Sequence, residues 1–125
     1  MLADQITKEN IETMVIHFYS RVLKDDIVGP FFIEELGDDM DNKYWKSHLK
    51  KLVDFWATTV LGDNSYKRDP FNPHMMMDLE TETFEHWLKL FCETVDGIYE
   101  PQMADIFKEK STNIAGNFMH NLGLQ

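Results

Sequence analysis

Hydrophobic residues recur at three- and four-residue intervals along most of the chain, which is the period of an amphipathic α-helix. The first stripe follows Thr7, a residue type that caps helix N-termini, and ends at Asp25. Its apolar positions are Ile11, Met14, Val15, Phe18, Tyr19, Val22 and Leu23. Gly29 and Pro30 then predict a turn and a short helix, which Gly37 ends. The first third of the chain therefore predicts one long helix and one short helix.

A third helix is predicted from about Asp41 to Leu61, with Gly62 as its stop. Its stripe contains Trp45, His48, Leu49, Leu52, Val53, Phe55, Trp56 and Val60. The polar segment 63–73 is typical of a loop. The Asn-Pro pair that ends this loop predicts that His74 opens a brief helical stretch.

The C-terminal part predicts two more helices, one from about Thr83 to Ile98 and one that begins near Pro101. The first stripe contains Phe84, Trp87, Leu88, Phe91, Val95 and Ile98, and the second contains Met103, Ile106, Phe107, Ile114, Phe118 and Leu122. We find no convincing alternation of the kind that strands show. The pattern predicts an all-α protein, with packed helices in a single domain over residues 1–125.

Charge and cysteine content narrow the possible functions. The formal net charge is −10 and no basic stripe is evident along the sequence, so we expect neither nucleic-acid nor membrane partners. Cys92 is the single cysteine, and its place in an apolar helical pattern favours inert packing. The N-terminus has no signal-peptide core, and no apolar run reaches the roughly 20 residues of a membrane span. We therefore expect a cytoplasmic location.

Four side chains with polar tips are candidates for chemistry, although each has an ordinary explanation. Tyr19, His48 and Trp87 could be core residues and His74 a surface residue, and the five histidines form neither an HExxH motif nor a Cys/His cluster. Together they suit a haem site, which needs one neutral imidazole, aromatic walls and a polar pocket opposite. The first turn of a helix would favour the neutral, metal-binding form of His74. Possible walls are Phe32, Phe55, Trp56, Phe84 and Phe91.

Six segments resemble the group III truncated haemoglobins, in the right order and at compatible spacings. They are HFYSRV, VGPFF, YWKSHLKKLVDFW, VLGDNSY, NPH and FEHWLKLF, and the match covers nearly the whole chain. The resemblance implies a shortened globin whose helices pack two over two around haem b.

The same resemblance implies a role for particular residues. His74 matches the proximal ligand of the haem iron, Phe32 matches a phenylalanine at the porphyrin edge, and Leu52 would face the distal side. The positions that match the distal polar residues are Tyr19, His48 and Trp87. The methionine-rich stretch 75–83 departs from the family pattern and leaves the local shape of the proximal side open. The histidines that match no family site, interpreted as surface or packing residues, are His17, His86 and His120.

The implied activity is binding of O2, NO or CO at an iron that can be five-coordinate. Redox chemistry on O2, NO or peroxide would follow, in the manner of an NO dioxygenase or a peroxidase, with electrons from an unidentified reductase. The alternatives are a gas sensor or an oxygen store or carrier without turnover, and a haem-free helical interaction module. The sequence leaves open whether the chain is an enzyme.

Overall fold

The computed structural model describes residues 2–62 and 81–121, without the side chains of 81, 82, 84 and 114–121. Its helices are α1 (Lys8–Leu23), α2 (Gly29–Leu36), α3 (Lys43–Leu61), α4 (Thr81–Ile98) and α5 (Pro101–Asn121). Within these ranges there is no strand, and an isolated bridge joins Ala3 to Tyr99. None of the described helices is long and apolar enough to cross a membrane.

Local side-chain hydrogen bonds set the start of α1 and the turn before α2. The Thr7 hydroxyl accepts from the Asn10 backbone N–H at 3.1 Å, and the Thr7 N–H donates to the Asn10 side chain at 2.9 Å. This reciprocal capping box satisfies two backbone donors that the first turn would leave unpaired. At the α1–α2 turn, the Asp25 carboxylate accepts from the backbone N–H groups of Ile27 and Val28, each at 2.9 Å. The start of α1 and the turn that leads into α2 are therefore each encoded within a few residues.

The first residue of α2 packs directly on the end of α1. A Cβ added to Gly29 would lie 2.7 Å from the Val22 carbonyl oxygen. At this distance one of the two helices would have to move to accommodate the extra atom. This close approach places Phe32 of α2 against Tyr19 of α1, with 5.4 Å between the ring centroids. Gly37 ends α2 with a φ of 90°, a conformation that favours glycine.

The starts of α3 and α4 differ from the predicted positions by two residues each. The Asn42 side chain caps α3 by accepting from the Trp45 backbone N–H at 2.8 Å, so the helix begins after this cap. Gly62 ends α3 as predicted, in the left-handed conformation with φ of 74°. In α4 the helix begins at Thr81, whereas the prediction placed it at the buried Thr83. Hydrophobic periodicity marks the first buried residue of a helix, whereas the helical backbone of α4 begins two residues earlier.

The helices pack as two crossed pairs. α1 lies on α3, α4 lies on α5, and the pairs meet through contacts of α1 with α4 and of α3 with α5. The all-α, two-over-two class is therefore confirmed. The largest fully buried side chains of the core are Trp45, Tyr99, Phe18, Phe32, Phe91 and Phe107.

One position of the predicted apolar stripe on α5 is wrong. Ile106 is 37% exposed, whereas Ala104, Phe107 and Ser111 are buried. These three share one helical face, and Ile106 is rotated about 100° from Phe107 because a helix has 3.6 residues per turn.

Candidate functional site

Three helices bring Tyr19, His48 and Phe32 together in the core. The Tyr19 ring lies edge-on to the His48 ring, with 5.4 Å between centroids, and the His48 and Phe32 rings are 6.2 Å apart. All three side chains are buried. Because α1, α2 and α3 each supply one of them, the cluster depends on the packing of all three helices.

Trp87 adds a fourth polar tip from α4. Its ring lies edge-on to Phe18 at 5.5 Å, and its indole is near enough to the Tyr19 hydroxyl to lower the pKa of that group. The two groups do not reach the geometry of a hydrogen bond, and the buried Nε1 has no acceptor among the described residues. Since a buried donor without an acceptor costs roughly 1–3 kcal/mol, this N–H favours a bound group that accepts a hydrogen bond.

The Tyr19 hydroxyl is held in its neutral form. Burial raises its pKa well above the ordinary value, and the nearby Trp87 indole offsets only part of the increase. At neutral pH the phenol therefore keeps its proton and can donate it in a hydrogen bond. The indole N–H is a donor only. This part of the cluster is thus suited to a ligand atom that carries partial negative charge.

Aromatic rings form a flat apolar wall beside these donors. The Phe91 ring stacks on Trp56, with 5.0 Å between centroids and 13° between planes, and on Trp87, with 5.7 Å and 5°. Leu52 of α3 is buried in the same hydrophobic core. Phe55 is partly buried and meets Trp56 edge-on at 5.2 Å. The combination of flat apolar surface and buried donors fits the requirements of a haem pocket.

The structure does not describe the side chains of two predicted site residues. His74 falls outside the described residues, and so does the side chain of Phe84, whose backbone belongs to α4. Among the described side chains, no three His, Cys, Asp or Glu residues converge as a metal site. The iron ligand at His74 and the wall residue at Phe84 therefore stay predictions.

Two further aromatic residues, Trp45 and Phe18, belong to the cluster but were predicted only as members of apolar stripes. Trp45 is fully buried, lies 5.5 Å from the Tyr19 ring and 5.6 Å from the His48 ring, and donates from Nε1 to the Gly37 carbonyl at 2.7 Å. Phe18 lies 4.8 Å from the Tyr19 ring. Phe18 directly precedes Tyr19, and Trp45 lies about one helical turn before His48. This proximity in the sequence was the signal that could have identified them as part of the cluster.

His86 has a specific partner that the surface or packing interpretation did not include. Its Nε2 lies 2.6 Å from Asp25 Oδ2. Burial alone would raise the pKa of Asp25, but hydrogen bonds from Val28, His86 and Ile27 bring the pKa below its usual value. The contact joins the α1–α2 turn to α4 at the residue before Trp87.

Together the fold and the buried cluster define a truncated globin. A crystal structure of a group III truncated hemoglobin from Campylobacter jejuni aligns with a TM-score of 0.88 and 32% identity, covering 98% of this chain and 95% of that chain. The curated "Group 3 truncated hemoglobin ctb" of Campylobacter jejuni subsp. jejuni serotype O:2 is 32% identical over 123 residues, with the same coverage. No protein-family model matches the chain.

The chain belongs to the group III truncated haemoglobins. Full-length similarity at this identity confirms the family resemblance that the sequence motifs indicated. Membership of a haemoglobin family implies a haem-binding globin.

Proposed function

We propose that the chain binds haem b, with His74 as the proximal iron ligand and Tyr19, His48 and Trp87 as the polar residues on the distal side. The observation that supports this most directly is the buried Trp87 N–H, which lacks an acceptor among the described residues. It lies beside a neutral Tyr19 hydroxyl and a flat aromatic wall. In an ordinary core, most buried polar groups have a hydrogen-bond partner. An indole N–H without one, next to a neutral phenol, therefore favours a bound ligand.

When bound, haem supplies an iron centre for O2, NO or CO, and for redox chemistry on O2, NO or peroxide. Tyr19 and Trp87 donate hydrogen bonds to negative charge on such a ligand, and His48 donates or moves aside to admit it. Each neutral hydrogen bond contributes about 1 kcal/mol net. Two such bonds slow ligand release by roughly one to two powers of ten, since about 1.4 kcal/mol is tenfold.

Slow release suits a protein that converts its ligand better than a carrier that must unload it. We therefore favour NO dioxygenase-like or peroxidase-like chemistry, supported by a reductase, in a cytoplasmic protein. A gas sensor or oxygen store uses the same pocket without turnover. Consumption of NO by the oxygenated protein in the presence of a reductase separates the two functions, because a sensor or store stops after one equivalent.

Absorption spectroscopy of the purified chain with added haemin tests the basic proposal. We expect a Soret band and distinct ferric, ferrous and CO spectra. His74→Ala should weaken haem retention or change the axial ligand. The matched control is His17→Ala, at an exposed position on α1, which should leave every spectrum unchanged.

Two outcomes contradict the proposal. A colourless protein that takes up no haemin would favour the haem-free interaction module. Unchanged coordination in the His74 variant would move the proximal role to another residue.

A further inference from the structure

One helix of this acidic chain carries a basic outer face. The charged residues of α3 are four lysines and one aspartate, a net charge of +3, whereas the whole chain has a formal charge of −10. All four lysines are exposed: Lys43, Lys46, Lys50 and Lys51. No basic stripe was evident in the sequence because acidic residues predominate in the rest of the chain, including the segment 34–41 just before α3.

A groove between α1 and α3 lies within this face. Its volume is about 400 Å³. Ile16 is 40% exposed there, and the half-buried Leu49 and Val53 complete its apolar part. The charged residues of its rim are Lys8, Lys46, Lys50, Glu12 and Asp54. An apolar centre with a charged rim is the usual composition of a protein-docking surface.

The lysines of the groove differ in their availability to a partner. Lys8 pairs with Asp54 at 3.4 Å and is thereby partly neutralised. Lys46 and Lys50 form no ion pair with the residues that the structure describes, and both are exposed. These two place positive charge next to the apolar centre, and the groove as a whole has a net charge of +1, from three lysines against Glu12 and Asp54.

The opposite side of the same helix faces the proposed haem site. His48 and Leu52 are buried on α3, two residues away from Lys46 and Lys50 along the chain. An α-helix with its side chains is about 10–12 Å wide. A partner that docks on the outer face of α3 thus comes within one helix width of the site.

We propose that this α1–α3 face docks a small acidic redox protein, which acts as the electron donor. The proposal rests on the proposed redox function, and it specifies the chemistry of the reductase that this function requires. The donor gives up one electron and the ferric haem takes it up, and no bond or proton changes in the polypeptide. Acidic surface elsewhere on the chain repels such a donor, so encounter is directed to α3. The same net charge repels anionic lipids and nucleic acids.

Two charge-reversal pairs test the location. Lys46→Glu with Lys50→Glu alters the proposed face, and Lys89→Glu with Lys110→Glu alters exposed lysines on α4 and α5. Both pairs change the net charge by the same amount, so a difference between them reports position alone. The probes are an acidic [2Fe–2S] ferredoxin and an acidic flavodoxin, and binding to the haem-loaded protein is measured by titration calorimetry.

We expect the wild type to bind a probe at low salt, and to lose affinity as the ionic strength rises from about 0.01 M to 0.15 M. The α3 pair should weaken binding at least about tenfold, and the control pair by much less. Circular dichroism of the wild type and of the two double variants should be the same, because every altered side chain is exposed.

Three outcomes would overturn the proposal. If both pairs of substitutions weaken binding equally, the effect is one of general charge. If neither probe binds the wild type, no acidic donor docks on this face. Binding to phosphatidylserine vesicles or DNA that depends on Lys46 and Lys50 would assign the face to another partner. Haem content is measured separately by absorption, so failure of haem binding is distinguished from failure of docking.

Discussion

His86 Nε2 and Asp25 Oδ2 lie 2.6 Å apart, and this contact joins α4 to the turn between α1 and α2. The other carboxylate oxygen of Asp25 accepts from the backbone N–H groups of Ile27 and Val28, in the turn just before α2. One aspartate therefore joins the turn that leads into the helix of Phe32 to the part of α4 that carries Trp87. The three donors explain why its pKa lies below the usual value although burial opposes this.

Asp25→Asn should lower the free energy of unfolding at neutral pH. A depressed pKa in the folded state gives stability that is present above the unfolded pKa of about 3.9 and is lost as the pH falls through the folded pKa. The difference between wild type and variant should therefore narrow below about pH 4. The asparagine side chain keeps an oxygen that can accept from the Ile27 and Val28 N–H groups, so the variant tests the effect of the charge.

Urea titrations between neutral and acidic pH measure this difference. Asp26→Asn is the matched control, since Asp26 is exposed and adjacent, and it should show little change. A constant difference at all pH values would mean that the Asp25 charge does not contribute to stability.

Tyr19→Phe should accelerate O2 dissociation about fivefold, because the lost hydrogen bond contributes about 1 kcal/mol. Stopped-flow displacement of O2 by CO measures the rate. Tyr44→Phe removes a hydroxyl from a side chain that is 58% exposed, and should leave the rate unchanged. Trp87→Phe should give an increase of similar size. If the off-rate of the Tyr19 variant equals that of the wild type, the phenol is not a donor to the ligand.

Gly29→Ala should destabilise the fold by about 1–3 kcal/mol, the usual cost of forcing atoms into a packed site. The new Cβ would meet the Val22 carbonyl oxygen at 2.7 Å and push α2 away from α1. Gly97→Ala in α4 is the control, because a Cβ there meets nothing within 4 Å. It should stabilise the helix by about 0.5–1 kcal/mol. Equal effects in urea unfolding would contradict the close approach of the two helices.

Cys92 should react slowly with a disulfide reagent at neutral pH. Burial raises the pKa of its thiol, Lys108 lowers it, and Asp96 and Glu93 raise it further. Since the thiolate is the nucleophile, a raised pKa reduces the reactive fraction. Ellman's reagent gives the rate directly because the chain has one cysteine.

The Lys108→Gln variant should slow this reaction further, because it removes the charge that favours the thiolate. Lys110→Gln, which also lies on α5, serves as the control and should leave the rate unchanged. A reaction as fast as that of the unfolded chain would show that Cys92 is more accessible than its environment indicates.

Features that depend on neighbouring residues were predictable from the sequence, whereas those that depend on distant ones were not. Thr7 caps α1 and Gly62 ends α3 as predicted, since each acts within one helical turn. The cap at Asn42 was missed because the adjacent aspartate is an equally good capping residue. Periodicity placed Ile106 inside, although the small residues at 104 and 111 complete the buried face.

The candidate site shows the same division. Periodicity alone placed Tyr19 and His48 in separate stripes, and the family resemblance indicated that they meet. Their meeting depends on the packing of α1 against α3, which no local pattern specifies. His86 and Asp25 are 61 positions apart in the sequence, and neither the periodicity nor the family resemblance indicated their contact. The role of His74 remains a prediction.

The link between the N-terminal segment and the α4–α5 corner has a consequence for folding during synthesis. Ala3 donates to the Ile98 carbonyl and accepts from the Glu100 N–H, each at 2.9 Å, and the Tyr99 hydroxyl donates to the Asn10 side chain at 2.8 Å. These partners leave the ribosome long after the segment around Ala3, so that segment becomes fixed late although it is made early. A nascent chain arrested before the α4–α5 corner should therefore carry an N-terminus that proteases cut readily.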